Sequence, residues 1–197
     1  MAITLKKASL TVRIITLATW ASIAIAGIGG FLLYPDSFTA SNIASILLRF
    51  QGEVLLVYIA MSALRGLSLL PSSPLVIAGT LIYPDQPWLV LLVSISGIAF
   101  SSSMIYFFSE LLGTSEYFEK RKAALTRRLH DRLEHPTGFL FVAAWSFFPF
   151  VPTDAVCYVA GMAKMDYLKF IGAVLVGELV LCSIYIFLGG SLFNSFS

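Results

Sequence analysis

The chain has 197 residues, of which 58% are hydrophobic and only 12% are charged. Soluble domains carry about 25% charged residues, so this chain cannot cover a globule of its size with charge. The composition therefore excludes a disordered chain and a water-soluble enzyme, and it predicts an integral membrane protein. The formal net charge of +2 is too small to favour nucleic acid as a partner.

The N-terminal part begins with an apolar stretch from Leu10 to Tyr34. This stretch exceeds the apolar core of a cleaved signal peptide, about 7–15 residues, and so predicts a retained transmembrane helix. Residues 38–53 mix apolar and polar side chains and are expected to lie at the membrane interface. The chain is then apolar again over residues 54–70, apart from Arg65.

Prolines interrupt the next apolar stretch, residues 71–87. A continuous helix cannot carry them, because each proline removes a backbone donor and clashes with the preceding turn. The stretch is nevertheless too apolar for a solvated loop, and non-helical backbone at membrane depth persists only where protein or a watery cavity satisfies it. A re-entrant hairpin is therefore predicted, broken by Pro71, Pro74, Pro84 and Pro87.

A long span is predicted from Trp88 to Leu112, in which Gly97 is a small residue that lets helices approach closely in lipid. The following segment, 114–135, is rich in Lys and Arg and carries apolar residues on one helical face. It predicts an amphipathic helix on the cytoplasmic membrane surface, with possible contact to anionic lipid. Lys6 and Lys7 favour a cytoplasmic N-terminus. Three crossings before residue 114 would instead place the N-terminus on the opposite side, so its side stays open.

A second interrupted apolar stretch covers residues 139–162, where Pro149 and Pro152 predict another re-entrant hairpin. A last span is predicted from Tyr167 to Leu188. Both hairpin segments share an order of residues: Pro-x-x-Pro, then Ala-Gly, then a spanning helix. The shared residues are Pro71, Pro74, Ala78 and Gly79 in the first segment and Pro149, Pro152, Ala160 and Gly161 in the second.

Interrupted apolar segments in corresponding positions are typical of transporters whose binding site lies at the interface between repeats. The sequence thus predicts an all-α polytopic membrane protein with inverted repeats. Each repeat is a re-entrant helical hairpin followed by a transmembrane helix, and the surface amphipathic helix is added to them.

Three ionisable residues fall within apolar segments, where a charge costs about 2.5–3.5 kcal/mol on insertion scales and so marks a functional path. Asp154 follows Pro152 by two residues, and is either an N-cap or a polar group of the path. Arg65 either snorkels to the interface or pairs with an acid or a phosphate, for which its guanidinium is well shaped. Glu178 either titrates as a proton relay or pairs with Arg65.

Nothing in the sequence supports metal or covalent catalysis, so we expect no enzyme, no cofactor and no metal. His130 and His135 have no carboxylate or Cys at ligand spacing. Cys157 and Cys182 lie in apolar segments and are interpreted as buried small hydrophobic residues. The sequence contains no G-x-x-x-x-G-K-[ST] motif, so any driving force must be a gradient.

Over roughly residues 55–190 the chain resembles the DedA/VTT superfamily, also called SNARE-associated Golgi proteins. The resemblance divides the chain into an N-terminal transmembrane helix with an interfacial segment, 1–53, and a VTT-like membrane domain, 54–190. The residues that carry it are Arg65, Pro71, Ala78, Gly79, Gly97, Pro149, Pro152, Asp154, Ala160 and Gly161.

The chain departs from the family pattern at Ser146, where members often have an Arg. It also has Pro152 where the bacterial DedA branch has a further Arg, and Ser72 and Ser73 where that branch has an acidic residue. The last two differences favour the branch with Pro-x-x-Pro-x-Asp over bacterial DedA proper. Whether the loss of the family Arg at Ser146 alters the mechanism is left open by the sequence.

The resemblance implies two opposed hairpins that meet within the membrane and move lipid between leaflets without ATP hydrolysis. The implied lipid is a phospholipid or a polyprenyl phosphate, and the expected location is the inner (plasma) membrane of a bacterium. Arg65, Asp154 and Glu178 are the predicted substrate or ion path, and membrane lipids are the predicted partners. Two alternatives stay open: a proton- or cation-coupled antiporter of small solutes, and a non-transporting membrane-shaping or assembly factor. The oligomeric state is not defined.

Overall fold

The protein is described by a computed structural model. All regular structure in the described part is helical, without strands, which confirms the predicted all-α class. Most of the predicted amphipathic helix 114–135 and most of the first half of the Leu10–Tyr34 span lie outside the described residues. The described residues are 18–19, 22–23, 25–68, 71–113, 132–133, 135–149 and 151–189.

The helices are labelled in chain order. They are α1 (residues 25–33), α2 (Ala40–Leu48), α3 (Val54–Leu64), α4 (Ser73–Ile82), α5 (Pro87–Gly113), α6 (Pro136–Phe147), α7 (Thr153–Met162) and α8 (Tyr167–Ser183). Short 3-10 turns occur at Pro35–Phe38, Gln51–Glu53 and Arg65–Ser68, and a π-helical turn at Ile184–Leu188 continues α8.

Two helices of the described part are long and apolar enough to cross a membrane. They are the stretch Pro87–Ser109 of α5, with 23 residues, and the stretch Tyr167–Leu188 of α8 and its π turn, with 22 residues. Both were predicted from the sequence as spans. The segments Ala40–Leu48 and Gln51–Leu64 pass the same test only together, and the chain bends by 119° between them. The described part of the chain thus contains two or three candidate membrane spans.

The prolines of residues 71–87 lie at helix starts or between helices, as their chemistry requires. Pro74 is in the first turn of α4 and Pro87 begins α5, positions where a helix needs no backbone donor. The break before α4 includes the 3-10 turn that starts at Arg65, so the helices on its two sides are α3 and α4. The sequence did not predict the end of α3 at Leu64, because residues 54–70 are almost uniformly apolar and apolar composition alone does not reveal where a helix ends.

A second break separates α6 from α7 at residues 148–152. Trp145 Nε1 donates a hydrogen bond to the Pro152 carbonyl oxygen at 3.3 Å and so ties the end of α6 to the start of α7. The same order of elements therefore occurs as α3–α4–α5 and again as α6–α7–α8. In each case a short helix, a break and a second short helix precede a long helix.

The two long helices pack against each other, α3 and α7 pack along α5, and α6 packs along α8. Gly97 makes the α3–α5 approach possible, because a Cβ there would lie only 2.7 Å from Ser62 Cβ and 2.8 Å from the Ser62 backbone. Gly177 of α8 fills the same role against Ala143 and Ser146 of α6. Small residues at helix interfaces are the usual means of close packing in lipid.

Candidate functional site

The three ionisable residues predicted from the sequence lie at the two helix breaks and in a long helix. Arg65 begins the 3-10 turn after α3, Asp154 lies in the first turn of α7, and Glu178 is in the middle of α8. Their exposed fractions are 8%, 2% and 0%. One basic and two acidic side chains are thus buried where the two interrupted segments meet.

Direct contacts connect this cluster. Arg65 Nη1 lies 3.9 Å from Asp154 Oδ1, an ion pair longer than a hydrogen bond. Thr153 Oγ1 donates a hydrogen bond of 2.6 Å to Glu178 Oε1 and so joins the start of α7 to α8. Arg65 also interacts electrostatically with both carboxyl groups. We call Arg65, Thr153, Asp154 and Glu178 the polar cluster.

The contacts rule out one of the interpretations that the sequence left open for Asp154 and one of those left open for Arg65. Asp154 is not the N-cap of α7, because Pro152 holds that position and no side chain caps it. Arg65 does not snorkel to a surface, since its side chain is only 7% exposed and faces an acid. Sequence reasoning missed Thr153, whose position beside Asp154 at a proline break was the available signal.

Several buried polar atoms near the polar cluster lack a hydrogen-bond partner within the described part of the chain. They are Asp154 Oδ1, Glu178 Oε2, Ser146 Oγ and Ser102 Oγ. A buried polar atom without a partner in a native protein calls for water, an ion or a ligand group. The meeting point of the two breaks is therefore a place where a polar group from outside the protein finds binding capacity.

A cavity of about 550 Å³ lies beside the polar cluster. Arg65 and Asp154 supply its charge, and most of the remaining lining is apolar. The other lining residues are Ile28, Phe31, Leu32, Pro71, Ser72, Ser73, Phe148, Pro149, Val151, Pro152, Thr153, Ala155, Tyr158, Val159 and Leu181. This volume lies within the range of small-molecule pockets, about 300–1,000 Å³.

The first residues of two helices line this cavity. Ser72 and Ser73 belong to the start of α4, and residues 152–155 belong to the start of α7. No side chain caps either helix. Pro74 has no N–H, and the N–H groups of Leu75 and Ala155 donate to the Ser72 and Pro152 carbonyl oxygens. The other first N–H groups of the two helices have no partner within the helix, and together with the helix dipole they favour an anion.

The predicted hairpin prolines and glycines serve different purposes. Pro71, Pro149 and Pro152 line the cavity, whereas Pro74 lies inside the first turn of α4. A Cβ at Gly79 would collide with the ring of Tyr58, and one at Gly161 with Ser109 and Tyr106. These glycines pack α4 against α3 and α7 against α5, and they are not among the residues that line the cavity.

The hydrogen bond between Thr153 and Glu178 is expected to stabilise the fold. Thr153→Val removes its donor and leaves a buried carboxyl oxygen unsatisfied, so stability should fall by about 1–3 kcal/mol. Thr80→Val is the matched control, because the Thr80 hydroxyl bonds only the Ile77 carbonyl of its own helix. Thermal unfolding in detergent measures both, and equal unfolding temperatures for the two variants would contradict a stabilising role.

Comparison with known families places these elements in context. A family model described as VTT domain matches residues 70–191, which include Asp154, Glu178 and both long helices. The chain belongs to the VTT-domain family and is an integral membrane protein. Searches of curated proteins and of solved structures gave no match. Arg65 and α1 lie before the matched residues. Within the described residues, no group of three or more His, Cys, Asp or Glu side chains is placed to hold a metal ion.

Proposed function

We propose that this protein moves lipids with a phosphate head group between membrane leaflets, as a scramblase or flippase without ATP hydrolysis. The observation that carries this proposal is an apolar cavity lined by a buried Arg65 and by two uncapped helix starts. Phospholipids and polyprenyl phosphates share the chemistry that such a cavity recognises. A bacterial plasma membrane is the location we propose.

The phosphate fits the charged part of the cavity for two physical reasons. A guanidinium group presents parallel donors that match two phosphate oxygens, and such charge-assisted pairs are among the strongest hydrogen bonds in proteins. Broken membrane helices in transporters direct their half-helix N-termini at anionic substrate groups, and α4 and α7 both begin at this cavity. The phosphate would thus exchange the water molecules that hydrate it for fixed donors of the protein.

The architecture we propose is a pair of inverted repeats, in which α3–α4 and α6–α7 are re-entrant hairpins of a domain that spans residues 54–190. Glycine packing supports the repeat beyond the order of the helices. Gly97 follows Pro87 by ten residues and contacts Ser62, three residues before Arg65. Gly177 follows Tyr167 by ten residues and contacts Ser146, three residues before Pro149. The Pro-x-x-Pro-x-Asp branch of the superfamily is the one we propose for this chain.

In the proposed mechanism the phosphate competes with Asp154 for Arg65. Arg65 Nη1 and Asp154 Oδ1 lie 3.9 Å apart, which is longer than a hydrogen bond, so a phosphate oxygen can displace the carboxylate from the guanidinium. The hydrogen bond from Thr153 to Glu178 meanwhile holds the start of α7 against α8, so the anion site keeps its shape. The head group passes through the cavity while the acyl chains stay in lipid, and the sequence's lack of an ATP motif leaves a gradient as driving force.

A second candidate function is an ion-coupled antiporter of small solutes. Two buried acids, Asp154 and Glu178, accompany one arginine, which favours binding of a proton or cation at the polar cluster. This candidate predicts solute flux that depends on pH or sodium, without lipid movement.

Reconstitution into proteoliposomes with head-group-labelled phospholipid and a membrane-impermeant quencher tests the proposal. Wild type is expected to expose inner-leaflet lipid that protein-free vesicles protect. Asp154→Asn is expected to slow this by about tenfold, the effect of about 1.4 kcal/mol, because without the competing carboxylate the phosphate leaves Arg65 more slowly. Asp85→Asn removes the same charge at an exposed turn and should leave the rate unchanged.

Three results would count against the proposal. Ion-dependent solute flux without lipid movement would favour the antiporter. No flux of any kind would favour a membrane-shaping factor. Equal rates for Asp154→Asn and Asp85→Asn would remove Asp154 from the path.

A further inference from the structure

We infer that α1 is the acyl-chain-binding wall of the cavity and that its side chains select lipids by chain shape. This inference rests on the proposed function, because it assigns the apolar lining to the chain of the same lipid whose phosphate binds at Arg65. It concerns a helix before residue 70, where the match to the family begins.

One face of α1 lines the cavity. Ile28, Phe31 and Leu32 are spaced by three and four residues, which puts them on the same side of a helix. Val159 of α7 and Phe148 of the second break also line it. The apolar lining is therefore built by α1 together with residues that adjoin the polar cluster.

Leu32 marks the place where the cavity meets its surroundings. Its side chain lines the cavity, yet 71% of the residue is exposed. In an integral membrane protein the exposed apolar surface of such a helix faces lipid, so a chain bound against Leu32 can continue into the bilayer. The wall thus joins the cavity to the membrane without an aqueous gap.

Charge complementarity commits the cavity to an amphiphile. The polar part holds Arg65 and two helix starts, which attract an anion once it displaces Asp154 from Arg65, and the α1 side chains offer only apolar surface. A lipid with a phosphate and a long chain satisfies both parts at once. An apolar helix would leave Arg65 and Asp154 unsolvated, and a soluble anion would leave the α1 wall uncovered.

α1 packs on Phe38 through Phe31 and has open space beside Gly29. Phe31 packs edge-on against Phe38, with ring centroids 5.7 Å apart. A Cβ added at Gly29 would have no neighbour within 4 Å. Glycine within a helix costs about 1 kcal/mol relative to alanine, and at this position no close packing accounts for it.

Adjacent tryptophan substitutions test the inference. Leu32→Trp reduces the space in the cavity beside α1. Leu33→Trp adds the same bulk at a position that is 75% exposed and does not line the cavity. Translocation is measured in proteoliposomes for two labelled phospholipids with the same head group, one with straight chains and one with methyl-branched chains. Leu32→Trp should slow the branched lipid by about tenfold more than the straight one, and Leu33→Trp should slow neither.

A widening variant guards against misfolding. Leu32→Ala removes bulk from the wall and is expected to raise the rate for branched chains relative to straight ones. The inference is overturned if the two tryptophan variants behave alike, or if both lipids respond equally to Leu32→Trp and Leu32→Ala. Failure of the proposed function has a different signature, namely that wild type moves neither lipid, and in that case the inference falls with it.

Discussion

Replacing Arg65 by Gln is expected to lower lipid translocation by about 10- to 100-fold, because a hydrogen bond to a charged group contributes about 1.5–3 kcal/mol. The neutral amide keeps part of the length of Arg65 but loses the charge and the fork that bind phosphate. Arg65→Lys should fall between Gln and wild type, since it retains the charge alone. Initial rates of quenching in proteoliposomes, normalised to inserted protein, measure all three.

Two controls separate transport from folding in this experiment. Arg49→Gln makes the same change at an exposed position and should transport like wild type. Loss of Arg65 alone also leaves buried acids without their cation, which destabilises proteins by about 3–5 kcal/mol. The double variant Arg65→Gln with Asp154→Asn relieves part of that penalty and should fold better while staying inactive. Wild-type transport by Arg65→Gln would remove the arginine from the path.

Gly97→Ala is expected to lower the free energy of unfolding by about 1–3 kcal/mol, the usual range for an overpacked site. The added Cβ would lie 2.8 Å from the backbone of Ser62, so α3 has to move away from α5. Ser62 precedes Arg65 by three residues, and the displacement therefore reaches the guanidinium. Both the unfolding temperature in detergent and the translocation rate should fall.

Gly172→Ala is the matched control on the other long helix. A Cβ there would lie 3.7 Å from Phe139 Cε2, an ordinary van der Waals contact. Its unfolding temperature should stay within a degree or so of wild type, on the order of the ±0.5 kcal/mol seen for innocuous substitutions. If Gly97→Ala is as stable as Gly172→Ala, the close approach of α3 and α5 does not limit stability.

Local chemistry made much of the fold predictable from the sequence. Apolar length predicted the spans that became α5 and α8, and the missing backbone donor of proline predicted the interruptions at 71–87 and 139–162. The first break was located less well. Its 3-10 turn at Arg65–Ser68 ends α3 within an apolar run, and no residue type in that run requires a helix end there.

The site was predictable residue by residue but not as a set of contacts. Arg65, Asp154 and Glu178 could be predicted as site residues, because placing a charged side chain in an apolar segment has a high free-energy cost. Which atoms pair depends on how the breaks pack, so the roles of Thr153 as donor to Glu178 and of Phe31 in the cavity wall emerged only from the fold. A threonine or phenylalanine carries no such cost, and the position of Thr153 beside Asp154 at a proline break was the one hint in the sequence.

Phosphate recognition at Arg65 is the central claim, and translocation by wild type of two labelled lipids tests it most directly. One is a phospholipid, and the other is a glycosyl diacylglycerol with the same chains and no phosphate. The cavity geometry predicts that the phospholipid crosses the bilayer rapidly and that the phosphate-free lipid stays near the rate of protein-free vesicles. Equal crossing of both lipids, or crossing of neither, would contradict the claim.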